Sequence, residues 1–277
     1  MIVKSYKNIK RELARNFKIR EFSVSMSGDY SVDDADWNYK DVPHLNIVHT
    51  QVDNVQPWLS EAAIATINFQ KIFFVTLPMV VFNFDAERYN QVYFSSFGPI
   101  LILVNTKSVG DNDHCEVTTT YCLAAKRPFN WLFPLLEKVI LRNNKILMSE
   151  DTPMRNRRGE LRRSGHKFHK PDGAYGFEFT TKILRNNVIF DGAKKLKVPM
   201  STFQKTQESF IGEDIGLMRF KVTHSEDGTS IWVTTCPHEG AELAVQKTCQ
   251  QKGYSLCPWH GRRIAPLATI KDKKLVK

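Results

Sequence analysis

Apolar residues between positions 64 and 123 fall in short β-branched and aromatic runs, at 64–69, 71–76, 79–84, 91–94, 100–104 and 116–123. Turn-forming residues divide several of them, Asp85-Ala86-Glu87 and Gly110-Asp111-Asn112-Asp113 among them. Runs of that length bounded by turns predict an antiparallel sheet of about six strands. The period then changes. Across 129–151, Trp131, Leu132, Leu135, Leu136, Val139, Ile140, Ile146 and Leu147 recur at helical spacing with charges between them, which predicts one long helix. Pro134 lies near its start, where a missing N–H costs little. From Phe210 onward the signal is short strands again: 216–222, a turn over 225–229, then 230–234 running straight into Cys236. The stretch 175–206, with Asn186-Asn187, Asp191-Gly192 and Lys194-Lys195, reads as a connection that is partly strand. The expected class is α+β: a sheet with a long C-terminal helix over residues 1–185, then a small all-β domain over 186–277.

Composition narrows the setting. With 42% hydrophobic and 25% charged residues in 277, the chain is globular in character and long enough for two domains. The longest apolar stretch, 100–104 with its neighbours, is far too short to span a bilayer. The start Met1-Ile2-Val3-Lys4-Ser5-Tyr6-Lys7 has no apolar core of the secretory kind. Five cysteines include three, Cys115, Cys122 and Cys249, outside any matched pattern, an odd number that suits free thiols and a reducing, cytoplasmic setting. The net charge of +10 is scattered apart from a basic run at 155–163 and a lysine-rich tail at 271–277. The run reads as a solvated face or as a docking surface for a small acidic electron carrier. No nucleic-acid motif accompanies it.

Candidate chemistry is concentrated in two places. Cys236-Pro237-His238 and Cys257-Pro258-Trp259-His260-Gly261 supply two Cys and two His in matched pairs, each within one short loop. A [2Fe–2S] cluster with two thiolates on one iron and two imidazoles on the other needs that inventory. Zinc also accepts Cys₂His₂, but there a Cys pair usually precedes a His pair, whereas each pair here mixes the two. The loops resemble the Rieske iron–sulfur domain, which implies Cys236, His238, Cys257 and His260 as cluster ligands. Ala241 and Trp259 stand where a disulfide-bearing type would carry thiols, and Arg262, not a hydroxyl residue, follows Gly261. Fewer hydrogen bonds to the sulfurs predict a potential in the negative part of the range for such clusters.

The second place is Asp41-Val42-Pro43-His44-Leu45-Asn46-Ile47-Val48-His49, which spells D-x-x-H-x-x-x-x-H. Two His and one carboxylate on one face of an ion form the facial triad of non-haem Fe(II) sites. Residues five apart in a regular α-helix lie about 140° apart around its axis, so convergence needs a distortion such as a π-bulge. The sheet and long helix resemble the START-like helix-grip architecture, which encloses an apolar cavity. Both motifs together resemble the aromatic-ring-hydroxylating, Rieske-type oxygenases, here with the two domains in reversed order. That resemblance implies a third ligand from the long helix, Asp151 with Glu150 as fallback; an acid at a helix C-terminus is poorly placed against the dipole and needs another reason to be there. It also implies that Asp41 bridges a cluster histidine and an iron-ligating one.

The function so implied is an oxygenase component, an oxidoreductase that takes electrons from a reductase or ferredoxin. Its cluster would feed a mononuclear Fe(II) that activates O₂ beside a lipophilic or aromatic substrate, either between subunits of a head-to-tail homo-oligomer such as a trimer or within one subunit. Phe69, Phe73, Phe82 and Phe84 are the side chains expected to make the cavity lipophilic. The rival expectation is a START-like ligand-binding protein fused to a ferredoxin-type electron-transfer domain with no mononuclear iron. A structural zinc protein is a third.

Overall fold

The computed structural model describes residues 5–59, 63–72, 75–166, 168, 189–190, 210–211, 219–226, 228–245, 247–271 and 274–276. They divide into two compact units, the described residues through Gly159 and those from Glu160 onward.

The first unit is built on one antiparallel sheet. In chain order it comprises helix α1 (Tyr6–Asn16), β1 (Lys18–Gly28), α2 (Val32–Lys40), a 3₁₀ turn (Val42–His44), α3 (Leu45–Val48), β2 (Val52–Leu59), β3 (Ala63–Ile72), β4 (Val75–Glu87), β5 (Asn90–Phe97), β6 (Ile100–Gly110), β7 (Cys115–Ala125) and the long helix α4 (Phe133–Arg163). The strand order is β1-β7-β6-β5-β4-β3-β2, so β1 closes against the last strand and β2 forms the other edge. This is the helix-grip architecture expected from the sequence. Neighbouring strands are joined by hairpins from β2 to β7, which keeps every pairing antiparallel.

Strand alternation decides what the sheet offers to each side. Met79, Ile100, Ile102 and Leu123 face α4 and pack with Phe133 and Leu136. On the opposite face Val92, Leu103 and Cys122 pack against Tyr6, Ile9 and Leu13 of α1. Those three recur at helical spacing, and this amphipathic helix escaped the sequence reading, as did β1 and β2. The run at 71–76 is not a strand of its own: it straddles the end of β3 and the start of β4.

The alternation corrects the expected lining. Phe69 and Phe82 are 37% and 49% exposed, and Phe84 packs with the α1 cluster. Phe73 lies outside the described residues. The phase of β3 and β4 is the reverse of the one expected: Ile64, Thr66 and Asn68, with Met79, Val81 and Asn83, face inward. A one-residue shift of phase exchanges every side chain between the two faces.

Helix α4 also outruns its predicted end. Pro153 lies inside it, and the helix continues to Arg163. A proline has no N–H to donate to the Ser149 carbonyl, a cost of about 3 kcal/mol in an isolated helix. Burial of Met154, Arg155 and Arg158 beyond the proline holds the helix in place. The basic run at 155–163 is therefore only partly a solvated face, because Arg155 and Arg158 are both 0% exposed.

The second unit contains a five-stranded sheet and a three-stranded one. Its described elements are β8 (Ile189–Phe190), β9 (Phe210–Ile211), β10 (Arg219–Ser225), β11 (Gly228–Val233), a short helix α5 (Lys247–Lys252), β12 (Ser255–Leu256), β13 (Arg263–Ile264), β14 (Ala268–Lys271) and β15 (Lys274–Val276). The hairpin of β10 and β11 closes with Ser225 opposite Gly228, and the chain leaves β11 just ahead of Cys236. Most of the predicted connection at 175–206 and the start of the predicted strand at 216–222 lie outside the described residues. None of the helices described is long and apolar enough to cross a membrane.

Candidate metal centre

His44, His49 and Asp151 meet in the first unit, each buried. The two imidazole Nε2 atoms lie 3.2 Å apart, and Asp151 Oδ1 lies 3.3 Å from each of them. Three ligand atoms with nearly equal edges form a triangle onto which one ion fits. At metal–ligand distances of about 2.1 Å the angles between ligands are about 100°, intermediate between octahedral and tetrahedral values.

The local chain explains the convergence. Ser31 caps α2 through a reciprocal capping box with Asp34, which starts the helix and brings Asp41 to its end. A 3₁₀ turn with Pro43 in its first positions carries His44. α3 is a single turn, and His49 has already left it with φ −83° and ψ 128°. No π-bulge is needed: a tight 3₁₀ turn, one α turn and an extended residue bring two histidines five apart to one point.

The outer nitrogens settle the tautomers. His44 Nδ1 contacts the backbone carbonyl oxygen of Asp41, with the Asp41 carboxylate 3.5 Å away. A carbonyl only accepts, so Nδ1 carries the hydrogen. His49 Nδ1 donates to Glu150 Oε2 at 2.9 Å, and Glu150 Oε1 accepts from Thr50 N and Thr50 Oγ1 at 3.2 and 2.7 Å. In the neutral rings both Nε2 atoms therefore turn lone pairs toward Asp151. Three acceptors 3.2–3.3 Å apart repel unless a cation or a proton lies between them. The donor set and its spacing suit a divalent ion.

Charge is balanced from behind. Asp151 accepts from Asn38 Nδ2 at 3.1 Å and from Arg155 Nη2 at 3.3 Å. Arg155 also gives Nε and Nη2 to Asn38 Oδ1 and lies over the Tyr39 ring. Burial alone would raise the Asp151 carboxyl, but His44, His49 and Arg155 outweigh it and hold the group well below the usual carboxylate range. For His44 burial acts to lower the pKa, while Asp151 and Asp41 carry it up to about 9. The proton so favoured marks where the site prefers positive charge.

These placements adjust several expectations. Asp151 is not a helix-end acid, so the dipole reason for its role falls away; its reason is the buried contact with two imidazoles. Glu150 orients His49 and does not join the ligand triangle. Asp41 ends α2 and holds His44. Sequence inspection missed Asn38, Thr50 and Arg155, although Arg155 stands four residues after Asp151 on the same helix, a spacing that brings side chains together. All three ligands line a cavity of about 260 Å³ between the concave sheet face and α4. Its walls mix Val52, Ile64, Met79 and Ile102 with Thr66, Asn68, Asn83, Ser95, Thr106 and Thr119.

In the second unit the four predicted ligands are buried as well: Cys236 is 0%, His238 5%, Cys257 1% and His260 1% exposed. Their loops repeat one hydrogen-bond pattern. Gly240 N donates to Cys236 O and Cys236 N to Ala241 O; Gly261 N donates to Cys257 O and Cys257 N to Arg262 O. Both glycines have positive φ, +88° and +61°, a conformation open to glycine at little cost. The thiols of Cys236 and Cys257 are in contact, which, with His260, draws Cys257 toward the thiolate. The rings of His238 and His260 lie 5.0 Å apart and nearly perpendicular. Sulfur thus meets sulfur and imidazole meets imidazole. Among the described residues only His44, His49 and Asp151 bring three ligand atoms within 4.8 Å of one another, so the four do not make a single compact tetrahedral shell. None of the five cysteines is disulfide-bonded.

No protein-family model matches the chain, and no curated protein does. Solved structures similar to it include the ZhuI aromatase/cyclase from Streptomyces sp. R1128, at 10% identity and TM-score 0.46 over 51% of this chain and 96% of that one. Another is the di-domain aromatase/cyclase StfQ of the steffimycin biosynthetic pathway, at 11% identity and TM-score 0.47, covering 55% of this chain and 56% of that one. A third is norcoclaurine synthase from Thalictrum flavum, at 10% and 0.42, covering 50% and 88%. None of these neighbours is a Rieske-type oxygenase. The resemblance to that family is corrected on this finding, and with it the oxygenase activity and the oxidoreductase, oxygenase and Rieske descriptions. The physical reason is that both motifs specify metal ligands, and a ligand set does not by itself specify a reaction or a family. The first unit has a helix-grip architecture, an antiparallel sheet with one long C-terminal helix.

Proposed function

We propose that the first unit binds a small molecule in its cavity beside a divalent metal ion held by His44, His49 and Asp151, with Fe(II) as the metal. The observation that carries this reading is the buried triangle of His44 Nε2, His49 Nε2 and Asp151 Oδ1 on the cavity wall. Two imidazoles and one carboxylate on one face of an ion suit Fe(II) and leave other positions for exogenous donors. Such an ion polarises an oxygen or nitrogen donor as a Lewis acid. The chain's own groups do the rest. His44 and His49 are turned by Asp41 and Glu150, Arg155 offsets the charge of Asp151, and Val52, Ile64 and Met79 shield the ligand from water. The cavity, at about 260 Å³, is just smaller than the usual ligand-site range of about 300–1,000 Å³, which suits one or two rings.

In the same reading Cys236, Cys257, His238 and His260 hold a [2Fe–2S] cluster, supported by the pairing of like donors and the two matched loops. The second unit would then be an electron-transfer module served by an external reductase or ferredoxin. Metal analysis of anaerobically purified protein, with His44→Ala and His49→Ala alongside, tests both parts. Three irons per chain falling to two in the variants is the expected result. Equal iron in all three proteins rules out the mononuclear site, and colourless protein rich in zinc rules out the cluster.

A further inference from the structure

One end of the first unit leaves large apolar side chains in the open. After β7 the chain runs through Lys126-Arg127-Pro128 into a 3₁₀ turn, Phe129–Leu132, that leads into α4. Along this passage Trp131 is 70%, Leu135 54% and Phe129 40% exposed. A single exposed apolar residue is ordinary; three so close together make a patch of the kind that marks an interaction site. Trp131 and Leu135 stand four positions apart, one helical turn, and so share a face. Phe133 and Leu136 go the other way, into the core under the sheet. The start of α4 is thus apolar on two sides, and the fold covers one of them.

Beside the patch lies a depression of about 270 Å³, lined by Leu77 and Pro78 of β4, Phe97 and Ile100 of the β5–β6 hairpin, and Leu132 of the turn. None of its lining residues carries a polar side chain. Charge of one sign borders this surface. Lys126, Arg127 and Lys138 are exposed, and Lys138 lies three positions past Leu135, its neighbour on the helix surface. From Lys126 to Ser149 the sequence holds five basic residues and one acid, Glu137. That acid is paired with Arg20 of β1.

We propose that this end of the first unit docks on an anionic lipid bilayer. Trp131, Phe129 and Leu135 enter the interfacial layer, and Lys126, Arg127 and Lys138 meet the charged headgroups. Tryptophan suits that depth because its ring is apolar while its N–H stays wet. Lysine and arginine reach outward from it on long apolar stems. Two features disfavour a protein partner. Three side chains of this size cover about 500 Å² when fully buried, less than the roughly 800 Å² per partner of a standard interface. A two-fold contact with a second copy would also bring the same basic residues face to face. A bilayer surface needs no minimum area, and binding strengthens with each apolar group and each cation.

The test titrates the full-length protein with vesicles of phosphatidylcholine alone and of phosphatidylcholine mixed with phosphatidylserine, read by co-sedimentation. Binding to the anionic vesicles is expected to be at least about tenfold tighter, given three basic contacts, and to weaken with added salt. Trp131→Ala should lower that affinity about tenfold, and the pair Lys126→Glu with Lys138→Glu should remove the preference for phosphatidylserine. All three positions are exposed, so an unchanged melting temperature separates lost docking from lost folding. Absence of co-sedimentation, or equal binding to both vesicles, overturns the proposal. Binding that survives both variants assigns it to another surface, such as the lysine-rich tail at 271–277, and overturns it too. Self-association that Trp131→Ala abolishes, without vesicle binding, gives the patch to a second copy instead.

Discussion

His49 Nδ1 donates to Glu150 Oε2 at 2.9 Å, while the next residue, Asp151, addresses Nε2 of the same ring at 3.3 Å. Two consecutive acids on α4 thus divide one imidazole between them, one at Nδ1 and one at Nε2. A helix turns about 100° per residue, which is what sends the two carboxylates to opposite edges of the ring. Glu150→Gln is therefore expected to weaken metal binding by about 10–100-fold without abolishing it. Glu150 meets His49 Nδ1 and Thr50 N with different oxygens, and in the amide one of those positions becomes an NH₂ that faces a donor. Asp151→Asn should lose the metal altogether. Competition against a chelator, read by metal analysis, orders the two variants; equal losses would place both acids in one role.

Arg155 is fully buried, spans Asn38 and Asp151, and lies 4.7 Å from the Tyr39 ring centroid. Arg155→Met keeps much of the volume and leaves Asp151 with less compensation. Removing one partner of a buried pair typically costs about 3–5 kcal/mol, so a clear fall in melting temperature is expected. Arg155→Lys should also be destabilising, since an ammonium cannot reproduce the fork to Asn38 Oδ1. A melting temperature unchanged by Arg155→Met would show that the guanidinium is not the counter-charge.

The phase of β4 can be tested by adding bulk on either side. Val81 faces the cavity, and its neighbour Phe82 is 49% exposed. Val81→Trp should fill the space and abolish binding of a small fluorescent ring compound such as 2-naphthol, titrated by fluorescence, whereas Phe82→Trp should leave it unchanged. Reversal of the two outcomes would mean that the strand sits one residue out of phase.

Cys115 and Cys122 are both buried, and burial pushes each thiol up to about 11. A raised thiol pKa favours the neutral form in the folded chain. The stability it contributes is complete below the unfolded value of about 9 and is lost as pH rises from there through about 11. At pH 8 neither thiol should react with iodoacetamide in the native protein, and both should react after unfolding. Mass spectrometry of the alkylated peptides reads this directly; rapid native labelling would contradict the burial.

How far the site was visible beforehand differs from residue to residue. His44 and His49 could be named from spacing because a metal needs particular atoms, and few residue types supply them. Asp151 could be named only with help from the long helix, and for a reason that did not survive, since the helix does not stop at Pro153. Glu150 and Asp151 were indistinguishable in sequence; their helical phase against His49 separates them. Arg155 and Arg158 looked like solvated charge because a run of arginines is usually that. Asn38, Asp34 and the Trp37 ring, 4.0 Å from the Arg158 guanidinium, make their burial tolerable.

By itself the sequence determined the elements and the donors: apolar runs of strand length, one helical period, two short loops with Cys and His, and two histidines with an acid upstream. Those depend on local propensity and on the chemistry of single side chains, which adjacent residues settle. Only the tertiary structure decided which face of β3 and β4 turns inward and which nitrogen of His49 each acid meets. Each of those depends on partners dozens of residues away, through sheet register and through the phase of α4 against His49.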